Sequence, residues 1–61
     1  GRNVEVLVEG PNRRNAQEWT GRTPEARWVH FPGESAPGRV ETIRVAAVSA
    51  FSLRGEIVAR A

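Results

Sequence analysis

The chain has 61 residues, nine of them basic and seven acidic, for a formal charge of +2. A single domain of that size buries only about 60% of the surface its unfolded chain exposes, and with no cysteine it has neither disulfides nor thiolate metal sites to supplement its core. One histidine and no aspartate nearly exclude a metal cluster, and the longest apolar run, residues 45–48, is far short of the roughly 20 that cross a bilayer.

No basic-then-apolar start suggests a signal peptide, so an intracellular, soluble, cytoplasmic module is expected. All nine basic residues are arginine, which a GC-rich genome alone would explain. Their placement therefore matters more than their number.

In chain order the pattern is all-β. Val4, Val6 and Val8 alternate with Glu5, Leu7 and Glu9, the period of a strand with one buried face. Gly10-Pro11-Asn12 is turn chemistry and ends it, leaving residues 13–17 as a polar loop. Residues 18–23 resume the alternation, with Trp19, Gly21 and Thr23 inward and Glu18, Thr20 and Arg22 outward. After the turn at Thr23-Pro24-Glu25, residues 27–31 form a third strand. Residues 32–38 hold too much proline and glycine for a ladder and make a second loop. A fourth strand over 39–48 and a fifth over 51–58 complete the set, with no convincing helical period.

Five short strands suggest a small five-stranded antiparallel OB-like β-barrel, because closure removes exposed edges. Its expected core is Val4, Val6, Val8, Trp19, Val29, Phe31, Ile43, Val45, Leu53 and Ile57.

Two strings carry the functional signal. Gly21-Arg22-Thr23 and Ser52-Leu53-Arg54-Gly55-Glu56 each set an arginine beside a glycine on a strand. The glycine permits close approach of a neighbouring backbone or a ligand, and the guanidinium is a planar, permanent cation suited to phosphate. Both arginines fall on outward positions. The competing role is an ion pair with a cross-strand glutamate such as Glu56, worth about 0–1 kcal/mol when exposed.

If Val29 and Phe31 point inward, Trp28 and His30 point outward. An exposed tryptophan beside a histidine suits an unstacked base; the alternative packs Trp28 under the 32–38 loop as peripheral core. His30 reads as a surface hydrogen-bonding residue, since no acid or nucleophile pairs with it in sequence. Arg13 and Arg14, in the first loop, are either solvated charges or phosphate contacts without sequence preference. Phe51 either caps the barrel end or meets a partner domain.

In order and spacing, Val6-Leu7-Val8-Glu9-Gly10-Pro11, Thr20-Gly21-Arg22-Thr23, residues 27–31, Gly38 with the fourth strand, and Ser52-Leu53-Arg54-Gly55 resemble a TRAM domain. This is the small barrel attached to several RNA-modifying enzymes, and the resemblance is to the C-terminal domain of MiaB-type tRNA methylthiotransferases. The ribosomal-protein methylthiotransferases tend to be acidic in the third strand, whereas Arg27-Trp28-Val29-His30-Phe31 is basic and favours the tRNA branch. His30 stands where asparagine is usual and Trp28 where a small β-branched residue is common.

The resemblance implies that residues 1–61 are one domain, a C-terminal fragment of a larger enzyme. The parent would be a radical S-adenosylmethionine enzyme with iron–sulfur clusters, adding a methylthio group to an isopentenylated adenosine beside the anticodon. No cofactor and no catalytic residue is expected in this chain. Its expected partners are tRNA, through the anticodon stem-loop, and the radical S-adenosylmethionine domain of the same polypeptide, with no membrane contact and a monomeric state.

The expected RNA contacts are Arg13, Arg14, Arg22, Arg27, Trp28, His30 and Arg54. The alternative is a protein-interaction barrel docking on the parent enzyme or a ribosomal partner. That would show a contiguous apolar patch around Trp28 and Phe51 with dispersed arginines. The RNA reading instead requires Arg22, Arg54 and at least one of Arg13 and Arg14 on one side.

Overall fold

A computed structural model describes residues 2–60. It contains five strands: β1 (Asn3–Asn12), β2 (Asn15–Arg22), β3 (Trp28–Pro32), β4 (Val40–Val48) and β5 (Ser52–Arg60). The strands pair around a closed barrel in the order β1-β2-β3-β5-β4, with β4 returning to β1. Among the described residues no helix is long and apolar enough to cross a membrane.

Closure works because the long strands bend and serve two neighbours each. β1 pairs β4 through Asn3 to Leu7, then β2 from Leu7 onward. Leu7 is the crossover, opposite Val40 on one side and Arg22 on the other. Glycine is required where the bent strands pass each other. A Cβ on Gly21 would run into the Leu7 carbonyl and a Val6 methyl, and one on Gly55 into the Arg44 carbonyl and an Ile43 methyl. The close approach expected at these two glycines is therefore made by the protein's own backbone.

The antiparallel expectation needs one correction. β3 and β5 run parallel, Trp28 opposite Ser52, Val29 opposite Leu53 and His30 opposite Arg54, while every other pair is antiparallel. The reason is parity. Direction cannot alternate all the way around a ring with an odd number of strands, so a closed five-stranded ring must contain a parallel neighbour pair.

The first hairpin also runs longer than its turn residues suggest. Gly10, Pro11 and Asn12 remain in β1, and most of residues 13–17 belongs to β2. Irregularities between Val8 and Gly10 and between Pro11 and Asn12 absorb the turn-forming residues without ending the pairing. The actual turn is Arg13-Arg14, held by the Asn12 side-chain oxygen accepting from the Arg14 N–H at 3.0 Å. Arg27 lies before β3, in a turn where its N–H donates to the Thr23 hydroxyl at 3.1 Å and Ala26 takes a positive φ of 66°.

Val6, Val8, Val29, Phe31, Ile43 and Leu53 form the buried core, with Val4, Trp19, Val45 and Ile57 packed against it. Trp19 also donates its indole N–H to the Gly33 carbonyl at 2.9 Å, pinning the 32–38 loop to the barrel. That loop is tied to β1 as well, through Gly38 N–H donating to the Val8 carbonyl at 2.8 Å. Glu41 is fully buried, its carboxylate accepting from the Ser35 hydroxyl with the Arg39 Nε 3.9 Å away. Its parity on β4 matches that of Ile43 and Val45, which was the sequence signal for an inward glutamate.

Candidate nucleic-acid interface

Strand period and register together build the site. On β2 the outward residues are Glu18, Thr20 and Arg22, on β3 Trp28 and His30, and on β5 Ser52 and Arg54. Pairing sets Arg22 beside Trp28 and Ser52 in one row, and Thr20 beside His30 and Arg54 in the next. The result is a three-strand platform on the outer wall of the barrel.

Over this platform lies a groove whose lining includes Arg13, Arg14, Trp28, His30, Phe51 and Arg54. Five of the seven residues expected from sequence thus share one concave surface. Arg22 stands at its margin, with its guanidinium carbon 4.4 Å from the Trp28 ring centroid and its Nε 2.8 Å from the Glu9 carboxylate, Glu9 being itself a lining residue. Arg27 is exposed in the turn before β3 and does not line the groove.

The two motif arginines are held by glutamates, though not by Glu56. Arg54 Nη1 donates to both carboxylate oxygens of Glu18, at 2.8 and 2.6 Å. Glu56 instead pairs with Arg44, its register partner across β4 and β5. Glu18 is the residue that sequence reasoning overlooked. Its side chain is 14% exposed, and it also accepts from the Asn12 amide at 3.2 Å, so it ties the hairpin tip to β5. Its outward parity on β2, shared with Arg22, was the available signal. By contrast, Arg13 and Arg14 make no side-chain ion pair among the described residues. The groove therefore carries a surplus of positive charge at its hairpin end.

His30 Nδ1 lies 3.0 Å from the Thr20 hydroxyl. Partial burial and then the neighbouring Arg54 charge push its pKa below the ordinary 6.5, against an upward pull from Glu18, so the ring is neutral at pH 7. Trp28 does not sit beneath the 32–38 loop, whose anchor is Trp19; it is 40% exposed on the groove wall. Phe51 is 85% exposed in a turn organised by Ser49, whose hydroxyl accepts from the Ser52 N–H at 3.0 Å. The sequence has no cysteine, and among the described residues no group of three His, Cys, Asp or Glu gathers.

The comparisons with known proteins agree with one another. The model of the TRAM domain family matches residues 1–58. The chain is 47% identical over 53 residues to the tRNA-2-methylthio-N(6)-dimethylallyladenosine synthase of Nitrosomonas europaea, a match covering 85% of this chain and 12% of that protein. It is 41% identical over 56 residues to the enzyme of the same name from Alkaliphilus oremlandii, covering 90% of this chain and 12% of the relative. With the Myxococcus xanthus enzyme of that name the figures are 42% over 59 residues, 97% of this chain and 13% of the relative. The chain thus spans only 12–13% of the length of these curated relatives.

Proposed function

Because the chain belongs to the TRAM domain family, we propose that its groove holds tRNA, by the anticodon stem-loop, for a methylthiotransferase whose catalytic domain lies elsewhere in the polypeptide. The observation that carries the reading is the gathering of Arg13, Arg14 and Arg54 around one groove with Arg22 at its margin. Clustered guanidinium groups attract phosphates and release counterions, which supplies affinity without reading sequence.

Methylthio transfer itself, with the iron–sulfur clusters and S-adenosylmethionine that the family resemblance implies, belongs to the radical S-adenosylmethionine domain. This chain's contribution is to raise the effective concentration of substrate there, as any tethered second binding surface does. It acts in the cytoplasm, as one copy per enzyme.

The Arg22 and Arg54 ion pairs do not prevent this role. The Arg22–Glu9 pair is exposed on both sides, where such a pair is worth only about 0–1 kcal/mol, so exchanging that glutamate for phosphate costs little. Glu18 is largely buried, but its bonds engage only the Nη1 of a half-exposed Arg54, whose other N–H donors can meet a phosphate without breaking the pair. The test is titration of a labelled anticodon stem-loop at low and moderate salt with Arg22→Gln/Arg54→Gln. Weaker binding with an unchanged circular dichroism spectrum supports the reading. Unchanged affinity in the folded double variant would turn it toward docking on another protein.

A further inference from the structure

The phosphate contacts proposed above leave the aromatic side of the groove unused. Trp28 and Phe51 both line it. They come from different strand ends, yet lie close in register, because Trp28 is opposite Ser52, the residue after Phe51. Side chains this exposed, 40% and 85%, contribute little to the core, and two aromatics lining one groove form an apolar patch.

Their surroundings say what would cover them. The guanidinium of Arg22 already covers one face of the Trp28 ring, at 4.4 Å from its centroid. Trp28 lines the groove and Arg22 does not, so the guanidinium leaves part of the Trp28 side chain open to the groove. At the hairpin end of the same groove stand Arg13 and Arg14, with no ion-pair partner among the described residues. The groove therefore offers an aromatic wall beside unpaired cations. An apolar protein segment would satisfy the rings and leave the arginines facing nothing of opposite charge. A duplex would satisfy the arginines, but its bases are stacked on one another and cannot reach the rings. An unpaired nucleotide satisfies both, with its base against a ring and its phosphate against a guanidinium.

We infer that this groove is a base-stacking subsite for unpaired nucleotides, so that the loop of the RNA, and not its stem, occupies the space between Trp28, Phe51 and the Arg13-Arg14 tip. The inference rests on the RNA-binding reading above and adds to it the selection of single-stranded over paired RNA. His30, neutral at pH 7 and bonded to Thr20, adds no charge of its own to the floor beside Trp28.

The experiment uses two probes of matched length, an RNA hairpin with an unpaired loop and a blunt RNA duplex, titrated against the 61-residue chain, Trp28→Leu, Phe51→Ala and Arg13→Gln/Arg14→Gln. Trp19 remains in every variant; its emission and the circular dichroism spectrum report folding. The expected result is that the hairpin quenches Trp28 emission and binds Trp28→Leu roughly tenfold more weakly, given the usual worth of stacking one base. Phe51→Ala should follow in the same direction, and its exposure makes misfolding no issue. Duplex affinity should change little in either aromatic variant and fall in the arginine variant. Equal hairpin affinity for wild type and both aromatic variants, with the arginine variant still weakened, overturns the stacking subsite and leaves the RNA reading standing. Failure of the unaltered chain to bind either RNA at low salt overturns both.

Discussion

Arg13→Gln/Arg14→Gln is the cleanest perturbation of the proposed RNA contact, because neither side chain has an ion pair to lose among the described residues. Both sit at the exposed hairpin tip, where the structural bond belongs to the Arg14 N–H and not to its guanidinium. Each phosphate neutralised on a single strand contributes about −0.7 to the slope of log affinity against log salt. If Arg54 and the marginal Arg22 engage together with Arg13 and Arg14, the slope is about −2.8; if only Arg13 and Arg14 do, it is about −1.4. In either case the double variant should make the slope shallower by about 1.4. Between roughly 50 and 200 mM salt, that removes about sevenfold of the affinity loss the unaltered chain suffers. Fluorescence anisotropy of a labelled stem-loop at four or more salt concentrations measures both slopes. Parallel lines for the two proteins, whatever their offset, would refute the claim that these arginines meet phosphate.

The remaining predictions concern the frame that holds the site. Gly55→Ala should lower the thermal midpoint by several degrees, since its Cβ would meet the Arg44 carbonyl and overpacking costs about 1–3 kcal/mol, whereas Gly10→Ala, with open space around its Cβ, should be tolerated; paired thermal melts test the contrast. Trp19→Ala should cost toward the low end of the about 3–5 kcal/mol of a core tryptophan, because Trp19 is only partly buried against the core, its bond to Gly33 being lost as well, and Trp28→Ala should cost less, so chemical denaturation giving the opposite ranking would contradict the assigned faces. With its folded-state pKa lowered, His30 resists a proton that the unfolded chain accepts. Stability from this group is therefore complete above 6.5 and should decline as pH falls from there through the folded value, and His30→Gln should flatten that part of a pH series of melts.

How far the sequence alone leads depends on which interaction decides each feature. Side-chain alternation is local, so all ten expected core residues appear in or against the core, and Arg22, Arg54, Trp28 and His30 appear on the outer wall. Strand ends are decided by partners. Gly10-Pro11-Asn12 has strong turn chemistry, yet β2 continues to pair with it through two irregularities that no local rule announces. Glu41 shows the same competition on the inside: residue type argues for exposure, parity for burial, and a hydroxyl from the 32–38 loop tips the balance. The partner of Arg54 was the least accessible feature. Glu18 is 36 residues away and comes near only through the β2-β3-β5 register, whereas Glu56, two positions along the chain, is drawn to Arg44.

The parallel seam that parity forces on the ring is also what assembles the site. Because β5 runs alongside β3 in the same direction, the start of β5 lies beside the start of β3, placing Ser52 at Trp28 and Arg54 at His30. The turn before β5 is thereby brought to the same rim, and with it Phe51. Had β5 been antiparallel to β3, its far end, with Ile57 and Val58, would have faced Trp28 instead, and Arg54 would have been carried away from Glu18. The seam also explains why two arginine–glycine strings so distant in sequence serve one surface. Gly21 lets β2 close against β1, Gly55 lets β5 close against β4, and each closure turns the preceding or following arginine outward at a strand flanking β3. Filling either glycine should therefore disturb RNA binding through the frame, before any side chain of the groove is changed.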